Sequence, residues 1–142
     1  FLIAVFLSTG TCSASASQNL AGTWDIVGEL VTSVAENPND PNAPKPGAIK
    51  PDTWMIQDDQ GVPVLTSSSG SIQGQYTPNG AVFDGGYTLT YGVYVSLHIE
   101  CVMDSSASMY GITENEFWGT NAMTGEMMKM GIESWKFRAT KR

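Results

Sequence analysis

The sequence predicts an all-β protein, a single small antiparallel up-and-down β-barrel of about 8–9 strands. Three observations carry this. Gly22-Thr23-Trp24 opens an alternating strand and Trp135-Lys136-Phe137-Arg138 closes another, as expected where a barrel's first and last strands meet. Short alternating segments recur between turn residues throughout. No segment after residue 16 shows the i, i+3, i+4, i+7 spacing of a long amphipathic helix.

The chain starts with the apolar run Phe1 to Leu7, followed by small uncharged residues through Ala16. This pattern fits the apolar and cleavage regions of an export signal. Without a Met or basic residues before it, residues 1–16 are expected to be a signal peptide truncated at its start, and the protein to be exported, secreted or periplasmic. Ala14-Ser15-Ala16 offers an ordinary cleavage site before Ser17. The alternative is cleavage before Cys12 and acylation of its thiol, which would anchor the protein at the cell envelope. No apolar stretch approaches the roughly 20 residues a transmembrane helix needs.

Residues 17–142 are read as the barrel domain. The first strand, about Gly22 to Val34, places Trp24, Ile26 and Leu30 on one face, with a bend or bulge expected at Gly28. Residues 36–52 hold Pro38, Pro41, Pro44, Pro46 and Pro51 and are expected to form a loop, either a flap beside the barrel mouth or a tolerated insertion. Next come strands at Thr53 to Asp58, Val62 to Ser67, Ser71 to Thr77, Ala81 to Thr90 and Val93 to Met103. Asn79-Gly80 is a hairpin signal, since both residues tolerate positive φ. Asp58-Asp59-Gln60-Gly61 reads as a turn before it reads as a calcium loop. Ala107 to Thr113, Glu116 to Asn121 and Met128 to Thr140 complete the set. Glycines recur beside aromatics around Tyr76, Phe83 and Trp118, which suits coiled strands but is too irregular for a repeat.

The net charge is −7, and five of the seven basic residues (Lys129, Lys136, Arg138, Lys141, Arg142) fall in the last strand region. The remainder is acidic, which disfavours nucleic acid as a partner. The basic cluster reads as a solvated edge and tail. Once the signal is removed Cys101 stands alone, in register with Val93, Val95, Leu97, Ile99 and Met103, and reads as a small buried residue.

Gly22, Trp24 and Arg138 resemble the opening Gly-x-Trp motif and last-strand basic residue of the lipocalin-like barrels of the calycin superfamily. The resemblance implies an up-and-down barrel able to hold a small apolar molecule. It also implies that Arg138 crosses Trp24 as a structural clamp. The chain lacks a Thr-Asp-Tyr motif, a disulfide pair and a clear helix after the last strand. Avidin-like barrels also begin with Gly-Thr-Trp, but Ile26, Gly28 and Glu29 stand where those proteins grip biotin, so biotin is disfavoured.

Trp54, Ile56, Tyr76, Phe83, Leu97, Ile99 and Trp118 are the candidate cavity lining, because ligand pockets are mostly apolar. The same residues would also fill a small barrel. His98, the sole histidine, shares a face with Tyr94, Ser96 and Glu100. A His-Glu pair can act as an oriented base, but no nucleophile or oxyanion motif accompanies it, and a solvated cross-strand pair is preferred. Met123, Met127, Met128 and Met130 offer soft ligands for Cu(I), although apolar packing at a barrel end explains them better. The expectation is a binding barrel for a small hydrophobic ligand, with no catalytic residues, metal or cofactor. A filled barrel acting as a structural or protein-interaction module at the cell envelope is the alternative.

Overall fold

A computed structural model describes residues 20–35, 41–89 and 92–142. The predicted signal peptide lies outside the described residues, as does the start of the Pro-rich loop. Eight strands follow one another: β1 Gly22–Ala35, β2 Ile49–Asp59, β3 Val62–Ser67, β4 Gly70–Thr77, β5 Gly80–Thr88, β6 Tyr94–Ser105, β7 Ser108–Thr120 and β8 Met127–Lys141. Each pairs antiparallel with the next, and β8 pairs with β1, closing the barrel.

Closure puts alternate side chains inside. Trp24, Ile26, Trp54, Ile56, Phe83, Ile99, Cys101, Met109 and Phe137 all join one buried core, and no polar or charged residue is buried among the described residues. Cross-strand pairs set glycines against aromatics, Gly74 opposite Phe83 and Gly111 opposite Phe137. Their placement gives a physical basis for the glycine–aromatic recurrence in the sequence.

Beyond shifts of one or two residues at strand ends, three features differ from those predicted. β2 starts at Ile49, inside the segment assigned to the Pro-rich loop, and includes Pro51 opposite Val27. Proline is tolerated there because β3 pairs only with Met55 onward, leaving this stretch of β2 a local edge. β7 runs unbroken through Glu114 and Asn115, where the sequence reading placed a break. The irregularity in β1 falls between Leu30 and Thr32, whereas Gly28 keeps its register with Lys50 and Phe137.

The hairpin predicted at Asn79-Gly80 forms, but neither residue has positive φ. Gly80 serves close approach instead, since a Cβ there would collide with the Cys101 carbonyl. Positive φ occurs in the β2–β3 turn at Gln60 and Gly61, where Asp58 Oδ1 also accepts from Gly61 N at 3.1 Å.

The clamp at the seam is made by a different cation from the one expected. The Trp24 indole is fully buried, its Nε1 donates to the Leu20 carbonyl at 2.8 Å, and Lys141 Nζ lies 5.5 Å from the ring centroid. Arg138 is exposed, facing outward beside Val27 and Tyr110. Trp24 is in register with Lys141, so Arg138 lies three residues, roughly 10 Å of strand, away and on the opposite face. Gly22, at φ 145°, leaves the space that the Lys141 side chain crosses. Other tail cations pair across the same seam: Arg142 binds Asp25 at 2.7 Å and Lys136 binds Glu29 at 3.1 Å.

Candidate functional site

The two ends of the barrel differ. At the end holding the start of β1, Leu20, Trp24, Phe83 and Met109 fill the interior with fully or almost fully buried side chains. Toward the end bearing the β3–β4 turn, the interior opens into a cavity of about 260 Å³.

Its deeper wall is apolar. Ile26, Trp54, Leu65, Ile99 and Phe137 contribute from five strands, each continuing the core outward. Trp54 and Phe137 meet edge to face, with centroids 4.9 Å apart and planes at 66°, an arrangement favoured by the aromatic quadrupole. The outer wall is polar: Lys50 and Asp52 come from β2, Ser67, Ser69 and Ser71 from the β3–β4 hairpin, and Thr113 and Asn115 from β7. None of residues 41–48 lines it. Backbone bonds from Leu30 N to Ala48 O and from Gly47 N to Leu30 O hold that segment to β1.

Polar groups at the rim fix the aromatic ones. Asp52 accepts from Trp54 Nε1 at 2.9 Å and from Thr53 N at 2.8 Å. Trp135, also on the wall, donates through Nε1 to Glu133 at 3.1 Å. Both indoles therefore have their N–H tied to a carboxylate.

Of the predicted lining, Trp54, Leu97 and Ile99 reach the cavity. Ile56 and Phe83 are buried in the core beneath it. Tyr76 packs against that core and donates its hydroxyl to Asp58 at 2.6 Å, beside the β2–β3 turn. Burial and then this bond raise the Tyr76 pKa, and the same bond, with that from Gly61 N, lowers the pKa of Asp58. Trp118 is not in the lining. Alternation turns Asn115 and Phe117 inward and Trp118 outward, where Lys129 covers its ring at 5.5 Å and pairs with Glu116 at 2.9 Å.

The sequence reading missed Lys50, Asp52, Tyr87, Asn115, Trp135 and Phe137. Lys50 and Asp52 were assigned to a loop, and Asn115 to a break between strands. Period two extended back from Trp54 and forward from Met109 would have placed all three inside.

His98 lies on the outer face, bracketed by Asp84 at 2.5 Å and Glu100 at 3.1 Å, with the three side chains 33%, 73% and 54% exposed. The bonds from Asp84 and then Glu100 raise its pKa above the ordinary 6.5. The pair is thus outside the cavity. Cys101 donates to the Ala81 carbonyl, and burial pushes its thiol up to about 11. Met123, Met127 and Met128 are exposed, and among the described residues no three of His, Cys, Asp or Glu converge as metal ligands.

Fold and site together define an eight-stranded antiparallel barrel with one end filled and one end hollow. No protein-family model matches the chain, and no curated protein matches it. Among solved structures it is similar to EF1p2_mFAP2b bound to DFHBI, at 17% identity over 89% of this chain and 97% of that chain, with a TM-score of 0.48.

Proposed function

We propose that this is an exported, remotely lipocalin-like barrel that binds a small, mostly apolar molecule without chemistry. One observation carries the reading: a cavity of about 260 Å³ with an apolar inner wall and a polar rim, the usual make-up of a ligand site. A barrel serving only as a structural or interaction module gains nothing from leaving its interior hollow, because unfilled space forfeits dispersion contacts. The His98–Glu100 pair, the candidate base, does not face this cavity.

Native mass spectra before and after organic extraction, with tryptophan quenching by fatty-acid and retinoid probes, test the reading. Gly28→Leu supplies the control. A Cβ at Gly28 would meet Trp135 Cε3 at 3.5 Å and Lys50 O at 3.6 Å, ordinary contacts, so a larger side chain can grow into the cavity. The expected result is an extractable mass or saturable quenching that Gly28→Leu removes. A bare protein that no probe quenches would overturn the proposal.

A further inference from the structure

The chemistry of the occupant is written on one side chain. Asn115 stands on the inner face of β7, opposite Leu97 on β6 and Glu133 on β8, and lines the cavity. Its Oδ1 is shielded from solvent and has no hydrogen-bond partner, the one buried side-chain oxygen or nitrogen so left among the described residues. Native proteins rarely keep such a group, because folding strips its water and returns nothing. Two other groups on this wall already have partners, Asp52 in Trp54 and Thr53 and Trp135 in Glu133. The oxygen has almost no accessible surface in the empty barrel, so a ligand reaches it by a turn of the Asn115 side chain.

We infer that the occupant is a flat, neutral molecule about the size of a fused bicycle, with adjacent donor and acceptor atoms on one edge, and that the Asn115 side-chain amide reads this edge. The inference rests on the binding function proposed above. A carboxamide offers an acceptor and a donor side by side and exchanges them by a half-turn of its end. Its full complement is another such pair, as in a lactam or cyclic amide. Size follows from volume, since a dry cavity of about 150 Å³ takes a benzene and this one is about 260 Å³. Flatness follows from the walls, where Trp54, Trp135, Phe137 and Tyr87 present aromatic carbon. Trp24 and Phe83, both fully buried, block the interior below, so a long alkyl chain has no channel to enter. Neutrality follows from the rim, where Lys50 and Asp52 supply one charge of each sign.

The test compares 2-quinolinone with naphthalene, which has its ring outline without the edge, and with decanoate as an aliphatic chain. Affinities come from tryptophan quenching and calorimetry on the ligand-stripped full chain and on Asn115→Leu. The wild type is expected to prefer 2-quinolinone to naphthalene by about tenfold or more, the worth of pairing an otherwise stranded polar group. Asn115→Leu is expected to invert that preference. Equal affinities in the wild type, a ratio unchanged by Asn115→Leu, or a preference for decanoate would overturn the inference while leaving a binding barrel intact. Failure of every probe to bind would overturn both. The wild-type ratio decides the matter even if the variant does not fold.

Discussion

Asn115→Leu should make the empty protein more stable. The substitution replaces a side-chain amide with a bulkier alkyl group of the same branched outline, so it opens no void, and the adjoining cavity takes up the added volume. It removes a carbonyl oxygen that is shielded from solvent and unpartnered, a situation that costs about 1–3 kcal/mol. The new methyls would face Leu97 across the β6–β7 pair and join the apolar wall. For a domain of this size each kcal/mol shifts Tm by about 2–4 °C, so the variant should melt roughly 5 °C higher, with an unchanged urea m-value. The assay is thermal and urea unfolding of ligand-stripped protein, followed by tryptophan fluorescence. An unchanged or lowered Tm would refute the reasoning, because it would mean that the Asn115 amide is satisfied within the folded chain. Saturating ligand should erase the difference. A site filled at 100 times Kd stabilises the wild type by about 2.7 kcal/mol, and the variant forgoes the part of that gain made at the amide.

Other expectations follow from the seam, the outer face and the core. Lys141→Ala should cost about 0.5–1 kcal/mol through loss of its contact with Trp24, whereas the exposed Arg138→Ala should stay within about 0.5 kcal/mol; urea midpoints that rank the two in reverse would remove Lys141 from the clamp. His98 has a folded-state pKa raised by Asp84 and Glu100, so its contribution is complete below the ordinary value of 6.5 and is lost as pH rises through the raised value. Tm measured from pH 5.5 to 9 should therefore fall across that window more in the wild type than in His98→Gln. Cys101, buried and with its thiol raised to about 11, should resist iodoacetamide at pH 8 until the barrel unfolds; peptide mass spectrometry reads this, and fast native labelling would contradict the burial.

The barrel was legible because its signals are local and repeated. Alternation placed Trp24, Ile26, Trp54, Ile56, Leu97 and Ile99 inside, and all six are core or cavity residues. What escaped depended on pairings that a single strand does not display. Pro51 looked incompatible with a strand because its tolerance depends on how short β3 is. Trp118 looked like lining because an aromatic was given more weight than its phase relative to Asn115 and Phe117. Arg138 looked like the clamp through its resemblance to a motif, yet Phe137 and Ala139 are buried and alternation alone turns Arg138 outward. In both misreadings the residue type was allowed to override period two, and the structure follows the period.

The cavity follows from a size gradient along the inward-facing residues of β1 and β3, a property that no single motif reveals. From the filled end toward the open one, β1 presents Trp24, Ile26 and Gly28 and β3 presents Leu65 and Ser67, whereas β8 runs the other way, from Ala139 through Phe137 to Trp135. On β2 the gradient is one of polarity as well, from Ile56 and Trp54 to Asp52 and Lys50. Barrels of eight strands leave an interior just wide enough for side chains to fill, so tapering β1 and β3 in the same direction opens space at one end while the other stays packed. Gly28→Leu reverses the taper on β1 alone. If the gradient makes the cavity, this one change should cut its volume and abolish binding without lowering Tm, because the added side chain gains contacts in space that is already open. A lower Tm with binding retained would mean that the walls had yielded around the new side chain, and that packing at the filled end does not hold the open end in shape.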